Sequence, residues 1–101
     1  MELMLIFKAL SNNTRVNMLI WLKQPHLHFP AEELLDYDAH LGVCVSDITQ
    51  KAGLSLSTTS DYLSILQKCG LVEATRVGQW TYYKRNEAAM ARLSGLIEQA
   101  F

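Results

Sequence analysis

The sequence of 101 residues contains only two cysteines, two prolines and five glycines. Two cysteines do not make a disulfide scaffold, so reduced thiols in a cytoplasmic protein are the expected state. Charge is also scarce: 19% of residues are charged, and the formal net charge is −1. No window approaches the roughly 18 to 20 uninterrupted apolar residues of a membrane span, so no membrane partner is expected. The opening Met1–Lys8 has neither a basic leader nor a small-residue cleavage site, which argues against a secretory signal. Catalytic constellations are missing too. No nucleophile has a nearby base, no glycine loop could cradle a phosphate, and no carboxylates pair at working spacing. No enzyme and no cofactor are expected. What the chain does have is apolar mass: half its residues are hydrophobic, enough to offset the entropy of ordering and exclude disorder. At this length, residues 1–101 read as one domain.

The small net charge hides an asymmetry. Residues 1–42 carry three basic and five acidic side chains. Residues 43–86 carry five basic ones (Lys51, Lys68, Arg76, Lys84, Arg85) against three acidic (Asp47, Asp61, Glu73). Three of these positives fall between 76 and 85, which points to that segment as a surface for a polyanion.

Periodicity supplies the elements. Leu3, Phe7 and Leu10 repeat at helical spacing in the first ten residues. Ser11–Thr14 offers N-cap side chains, and Val16, Leu19 and Ile20 carry a second helix to Lys23, where Pro25 stops it. Residues 24–42 read as irregular, with a helical turn or two at 31–35. That length suggests a functional insertion or a partner surface. Residues 43–52 read as a short helix with Val45, Ile48 and Ala52 inward, closed by Gly53 in a left-handed conformation. Ser55 or Ser57 can cap the next helix, which runs to about Cys69. Its inward stripe is Thr59, Leu63 and Leu66, flanked by Tyr62. Its outer face is Ser57, Asp61, Ser64 and Lys68, with Thr58 and Ser60 on the edges. Residues 71–76 and 80–85 read as strands joined through Val77-Gly78-Gln79. Asn86 caps a last helix that gathers Ala89, Leu93, Leu96, Ile97 and Ala100 on one face.

This order is mainly α with a small β-hairpin, and it reads as a winged helix-turn-helix: the motif at about 43–69, the wing at about 71–85. A major groove about 12 Å wide admits one α-helix. On a recognition helix at 57–69, Ser57, Thr58, Ser60, Asp61, Tyr62, Ser64 and Lys68 are the candidate DNA-binding residues. Arg76, Gln79, Lys84 and Arg85 of the wing would address the backbone or minor groove. The expected partner is double-stranded DNA. The terminal segments 1–10 and 87–101 are expected to pair two copies through Leu3, Phe7, Leu93, Leu96, Ile97 and Phe101. A homodimer sets its recognition helices roughly 34 Å apart, which matches an inverted repeat.

Three stretches carry a family resemblance. Gly53–Leu66 resembles the recognition helix of ArsR/SmtB-type winged-helix repressors, and Cys69–Val72 with Arg76–Tyr83 continues the match. Lys8–Arg15 upstream completes it. The resemblance implies a homodimeric bacterial repressor, dimerised through its first and last helices, that leaves its operator when an inducer or redox signal arrives. Asp61 departs from the basic or polar residue usual there; it either accepts from a cytosine amino group or weakens nonspecific binding. Thr59 stands where the family has an apolar residue. Of the family's two thiolate ligands, Cys44 matches the first, but Ser46 replaces the second, and serine is a poor ligand for soft metals. The last helix lacks the Asp and His that other relatives use, so no metal is expected. Two alternatives stay open. One is a protein–protein module of the same fold that has lost DNA binding. The other is a metal- or redox-responsive repressor using segment 24–44, where His26, His28, Asp36, Asp38, His40 and Cys44 stand. The bland reading of Cys44 and Cys69 is two small buried hydrophobes. The inducer is not legible.

Overall fold

A computed structural model describes residues 2–34 and 37–101, apart from the Glu33 side chain. The expected end of a helical turn at Leu35 and the candidate ligand Asp36 lie outside the described residues.

Helix α1 (Leu3–Leu10) buries Ile6 and Ala9, and α2 (Asn13–Lys23) buries Met18, Leu19 and Leu22. Asn12 caps α2, its side chain accepting from the Arg15 N–H at 3.0 Å. The Arg15 side chain turns back to α1, where Nε donates to the Ala9 carbonyl at 2.7 Å and Nη2 to the Lys8 carbonyl at 3.2 Å. The Ala9 bond meets an oxygen at the helix end, the Lys8 carbonyl accepts from Ser11 as well, and together the two bonds tie the start of α2 to α1.

The described residues of segment 24–42 are strapped to the core rather than free. Pro25 opens the one-turn helix α3 (Pro25–His28), and Phe29 is buried with its ring 6.4 Å edge-on from that of Trp21. A 3₁₀ turn, Ala31–Leu34, follows, and Leu34 and Tyr37 pack on the core. Its apolar residues are spaced with neither helical nor strand period, so periodicity could not reveal the attachment. The His26 ring packs edge-on against Tyr37 at 5.0 Å. No group of three or more His, Cys, Asp or Glu side chains able to hold a metal comes together among the described residues.

The expected helix over 43–52 starts two residues late. Val43 and Cys44 form β1 and pair with Tyr83 and Tyr82 on the free edge of the hairpin. Gly42 makes this approach possible: its φ is +95°, and a Cβ there would sit 2.0 Å from the Tyr83 carbonyl oxygen. Helix α4 (Val45–Ala52) follows, ended by Gly53 at φ +68°. Then come α5 (Leu56–Lys68), β2 (Val72–Val77), β3 (Trp80–Arg85) and α6 (Glu87–Ala100). The sheet runs β1-β3-β2, antiparallel throughout. One cluster, with Ile6, Met18, Ile48, Leu63, Leu66 and Leu71 at its centre, joins the elements.

Thr59 is the buried polar residue of that interior among the described residues. It is wholly buried on α5, and its Oγ1 has no hydrogen-bond partner. An unmet buried hydroxyl costs about 1–3 kcal/mol. Thr59→Val keeps the shape and removes the hydroxyl, so it should raise the urea unfolding midpoint by the equivalent of about 1 kcal/mol. A lowered midpoint would show that the hydroxyl is satisfied in solution.

Candidate nucleic-acid interface

Helix α5 is built to be gripped on one side and offered on the other. Ser55 begins it: Oγ accepts from the Thr58 N–H at 3.1 Å and donates to Thr58 Oγ1 at 3.0 Å. Thr59, Leu63 and Leu66 are fully buried, locking the helix against α4 and the core. Ser57 and Asp61 are exposed, and Ser60 and Ser64 are half-buried on the same flank. The first two turns thus present hydroxyls and one carboxylate, groups that hydrogen-bond to base edges.

Three candidates differ from these in setting. The Thr58 hydroxyl is tied to the cap. Tyr62 packs on the core, with the Arg15 guanidinium 5.2 Å above its ring. Lys68 is exposed at the last position of α5, about 16 Å along the axis from Ser57, and there it faces residues of α1. Leu56, which sequence reasoning did not single out, is 52% exposed at the first position of the helix. An apolar residue outside the buried stripe was its signal, and thymine methyl groups are the apolar feature of the major groove.

The wing is less basic than its residue count suggests. Register pairs Glu73 with Lys84 across the hairpin, and Lys84 Nζ lies 3.5 Å from Glu73 Oε2. Arg85 donates from Nε and Nη2 to the two oxygens of Glu87, at 2.7 and 2.5 Å. Its side chain is only 14% exposed. That hydrogen bonding holds Arg85 above its ordinary pKa and Glu87 below the usual carboxylate value. Arg76 differs: Nε donates to the Gly78 carbonyl at 3.1 Å, and no carboxylate pairs with it among the described residues. Gln79 is exposed beside it at the hairpin tip.

A second feature lies at the chain ends. Phe7 of α1 stacks on Phe101 with ring centroids 6.3 Å apart, and Phe101 remains 86% exposed. Met4 and Ile97 are also exposed, while Leu3 and Leu96 are half-buried. Leu93, expected at this surface, is buried within its own chain and has little area left for a partner.

A helix-turn-helix with an exposed polar second helix and an attached two-stranded wing defines a DNA-binding transcriptional regulator, not an enzyme. Residues 43–74 match the model of the bacterial regulatory protein arsR family. Over 98 residues, covering 97% of both chains, the sequence is 47% identical to YbzH, an uncharacterized HTH-type transcriptional regulator of Bacillus subtilis. The fold superposes, with a TM-score of 0.63 and 30% identity, on the solution structure of a homodimeric winged helix-turn-helix DNA-binding domain from Mycobacterium bovis, a possible ArsR-family regulator. That match covers 95% of this chain and 74% of the other. An ArsR-like transcriptional regulator from Rhodococcus gives a TM-score of 0.66 at 26% identity, covering 97% and 75%. The chain belongs to the arsR family of bacterial regulatory proteins.

The Arg85–Glu87 pair makes two effects separable. Because the Glu87 pKa is lowered by folding, its contribution is present above the ordinary carboxylate value and lost as pH falls through the depressed one. Glu87 is largely exposed, so that contribution is no more than about 1 kcal/mol. Glu87→Gln should therefore flatten the acid limb of the stability–pH curve. It should also free Arg85 and tighten DNA binding at low salt, read by fluorescence anisotropy. Unchanged DNA affinity would show that Arg85 faces no phosphate.

Proposed function

We propose that this protein is a homodimeric transcriptional repressor that binds an inverted-repeat operator. The observation that carries this reading is the two-sidedness of α5, whose inner face is wholly buried while Leu56, Ser57 and Asp61 stand exposed at its N-terminal end. In the complex those turns enter the major groove, with Ser60 and Ser64 at the margin. Ser57 and Ser60 suit any base, Asp61 suits the cytosine amino group, and Leu56 suits a thymine methyl. Arg76 and Gln79 meet the backbone or minor groove. Repression follows by occlusion, since a dimer covering two successive grooves denies them to other proteins.

Dimerisation is assigned to the exposed apolar residues Met4, Ile97 and Phe101 and the half-buried Phe7 that stacks on Phe101 at the chain ends. The homodimeric Mycobacterium bovis domain supports this. Phe7→Ser combined with Phe101→Ser should shift the protein to monomer by sedimentation velocity while preserving its helical circular dichroism. A dimer that survives both changes would place the interface elsewhere.

Footprinting on DNA from the protein's own upstream region should protect two half-sites about 10 bp apart. Arg76→Ala should weaken binding alike for all sequences and reduce the salt slope of the dimer by about two, one for each protomer. Asp61→Asn should instead change the preferred base at one position per half-site. The paired wing cations and Asp61 favour one rival, a module of this fold that binds protein instead. No gel shift at low salt, with the dimer intact, would establish it.

A further inference from the structure

A cavity of about 290 Å³ opens between α1 and the C-terminal half of α5, away from the groove-facing turns. Its walls are Leu5, Ala9 and Ile65, and its rim is Lys8, Arg15 and Lys68. Leu5 and Ile65 are 53% and 39% exposed, so the apolar wall is open to a ligand. Arg15 is held in place by its two bonds to α1 carbonyls and by the Tyr62 ring beneath it. The remaining member of the lining is the Cys69 thiol, which burial pushes up in pKa, so it adds no negative charge. No carboxylate lines the cavity among the described residues.

We propose that this cavity binds an amphipathic carboxylate, its apolar tail against Leu5, Ala9 and Ile65 and its head among the three cations. Each half of the ligand answers one half of the lining. A neutral apolar molecule would leave three mutually repelling cations uncompensated. A phosphate alone would leave the apolar wall wet. The volume falls just under the usual range for small-molecule pockets, about 300–1,000 Å³, which suits a short chain or a single ring. The ligand would bridge α1, which bears Phe7 of the proposed dimer surface, and α5, which bears the groove-facing residues. It therefore sits where a small molecule can bias both.

The test needs no DNA, so its outcome is independent of the operator reading. Full-length protein is titrated calorimetrically with sodium decanoate below its micellar concentration, and in parallel with acetate and decyltrimethylammonium. Decanoate should bind saturably at one per chain, at least tenfold more tightly than either control. Lys8→Gln and Ile65→Gln should each weaken it at least fivefold. As a second readout on the unaltered protein, decanoate should slow iodoacetamide alkylation of Cys69 and leave that of Cys44 unchanged, resolved by peptide mass. Equal binding of the cationic homologue, absence of saturation, or unprotected Cys69 would overturn the proposal.

Discussion

Everything the molecule offers outward depends on how firmly α5 is held inward. Leu63 and Leu66 reach full burial against a core that also holds Ile48 of α4 and Met18 of α2. A helix gripped along one stripe cannot rotate about its axis, so its opposite side chains keep a fixed bearing. Gly53 sets where α5 begins, and the Ser55 cap sets its first turn. Reading base edges requires that rigidity, because a hydrogen bond tolerates only a few tenths of an ångström in length. The unsatisfied Thr59 hydroxyl sits in the same stripe, so some stability is given up in the element that most needs to be fixed.

Electrostatics act differently from what composition implies. The wing and its flank hold Arg76, Lys84 and Arg85, but cross-strand register brings Glu73 to Lys84, and the start of α6 brings Glu87 to Arg85. Glu87 is doubly placed, since a carboxylate in the first turn of a helix also meets the positive end of the helix dipole. With Asp61 exposed on α5, the surface attracts a polyanion only weakly at long range. On the operator reading proposed above, such a surface would gain little from nonspecific phosphate contact and would draw more of its affinity from base contacts.

Much of this was legible beforehand, and the failures have physical causes. The stripe of Thr59, Leu63 and Leu66, the Gly53 turn, the hairpin around Gly78 and the Asn86 cap are local signals. Each is written within a few residues of where it acts, and each appears in the structure. Val43 and Cys44 become a strand because β3 presents an edge nearly forty residues later, which no local window contains. Segment 24–42 is anchored by Pro25, Phe29, Leu34 and Tyr37 at irregular spacing, so its acidic composition was visible and its attachment was not. The carboxylate partners of Lys84 and Arg85 needed strand register and helix start to be known together. At α5 the pattern of exposed and buried positions was readable, but the prior engagement of Thr58 and Tyr62 was not.

Arg15 ties these strands together. It is a single side chain that closes α1 through two carbonyls and supports Tyr62 of α5 through its guanidinium plane. The apolar surface assigned to dimerisation and the helix assigned to the groove are therefore joined by one rigid cation rather than by a flexible linker. Coupling between two sites requires an element whose arrangement both can bias, and here that element is the α1–α5 contact. Arg15 is the side chain through which the position of α1 bears on Tyr62, and Tyr62 lies one residue from the exposed Asp61. On the proposed function, a change in how α1 rests on the back of α5 is where a signal would act on the groove-facing helix.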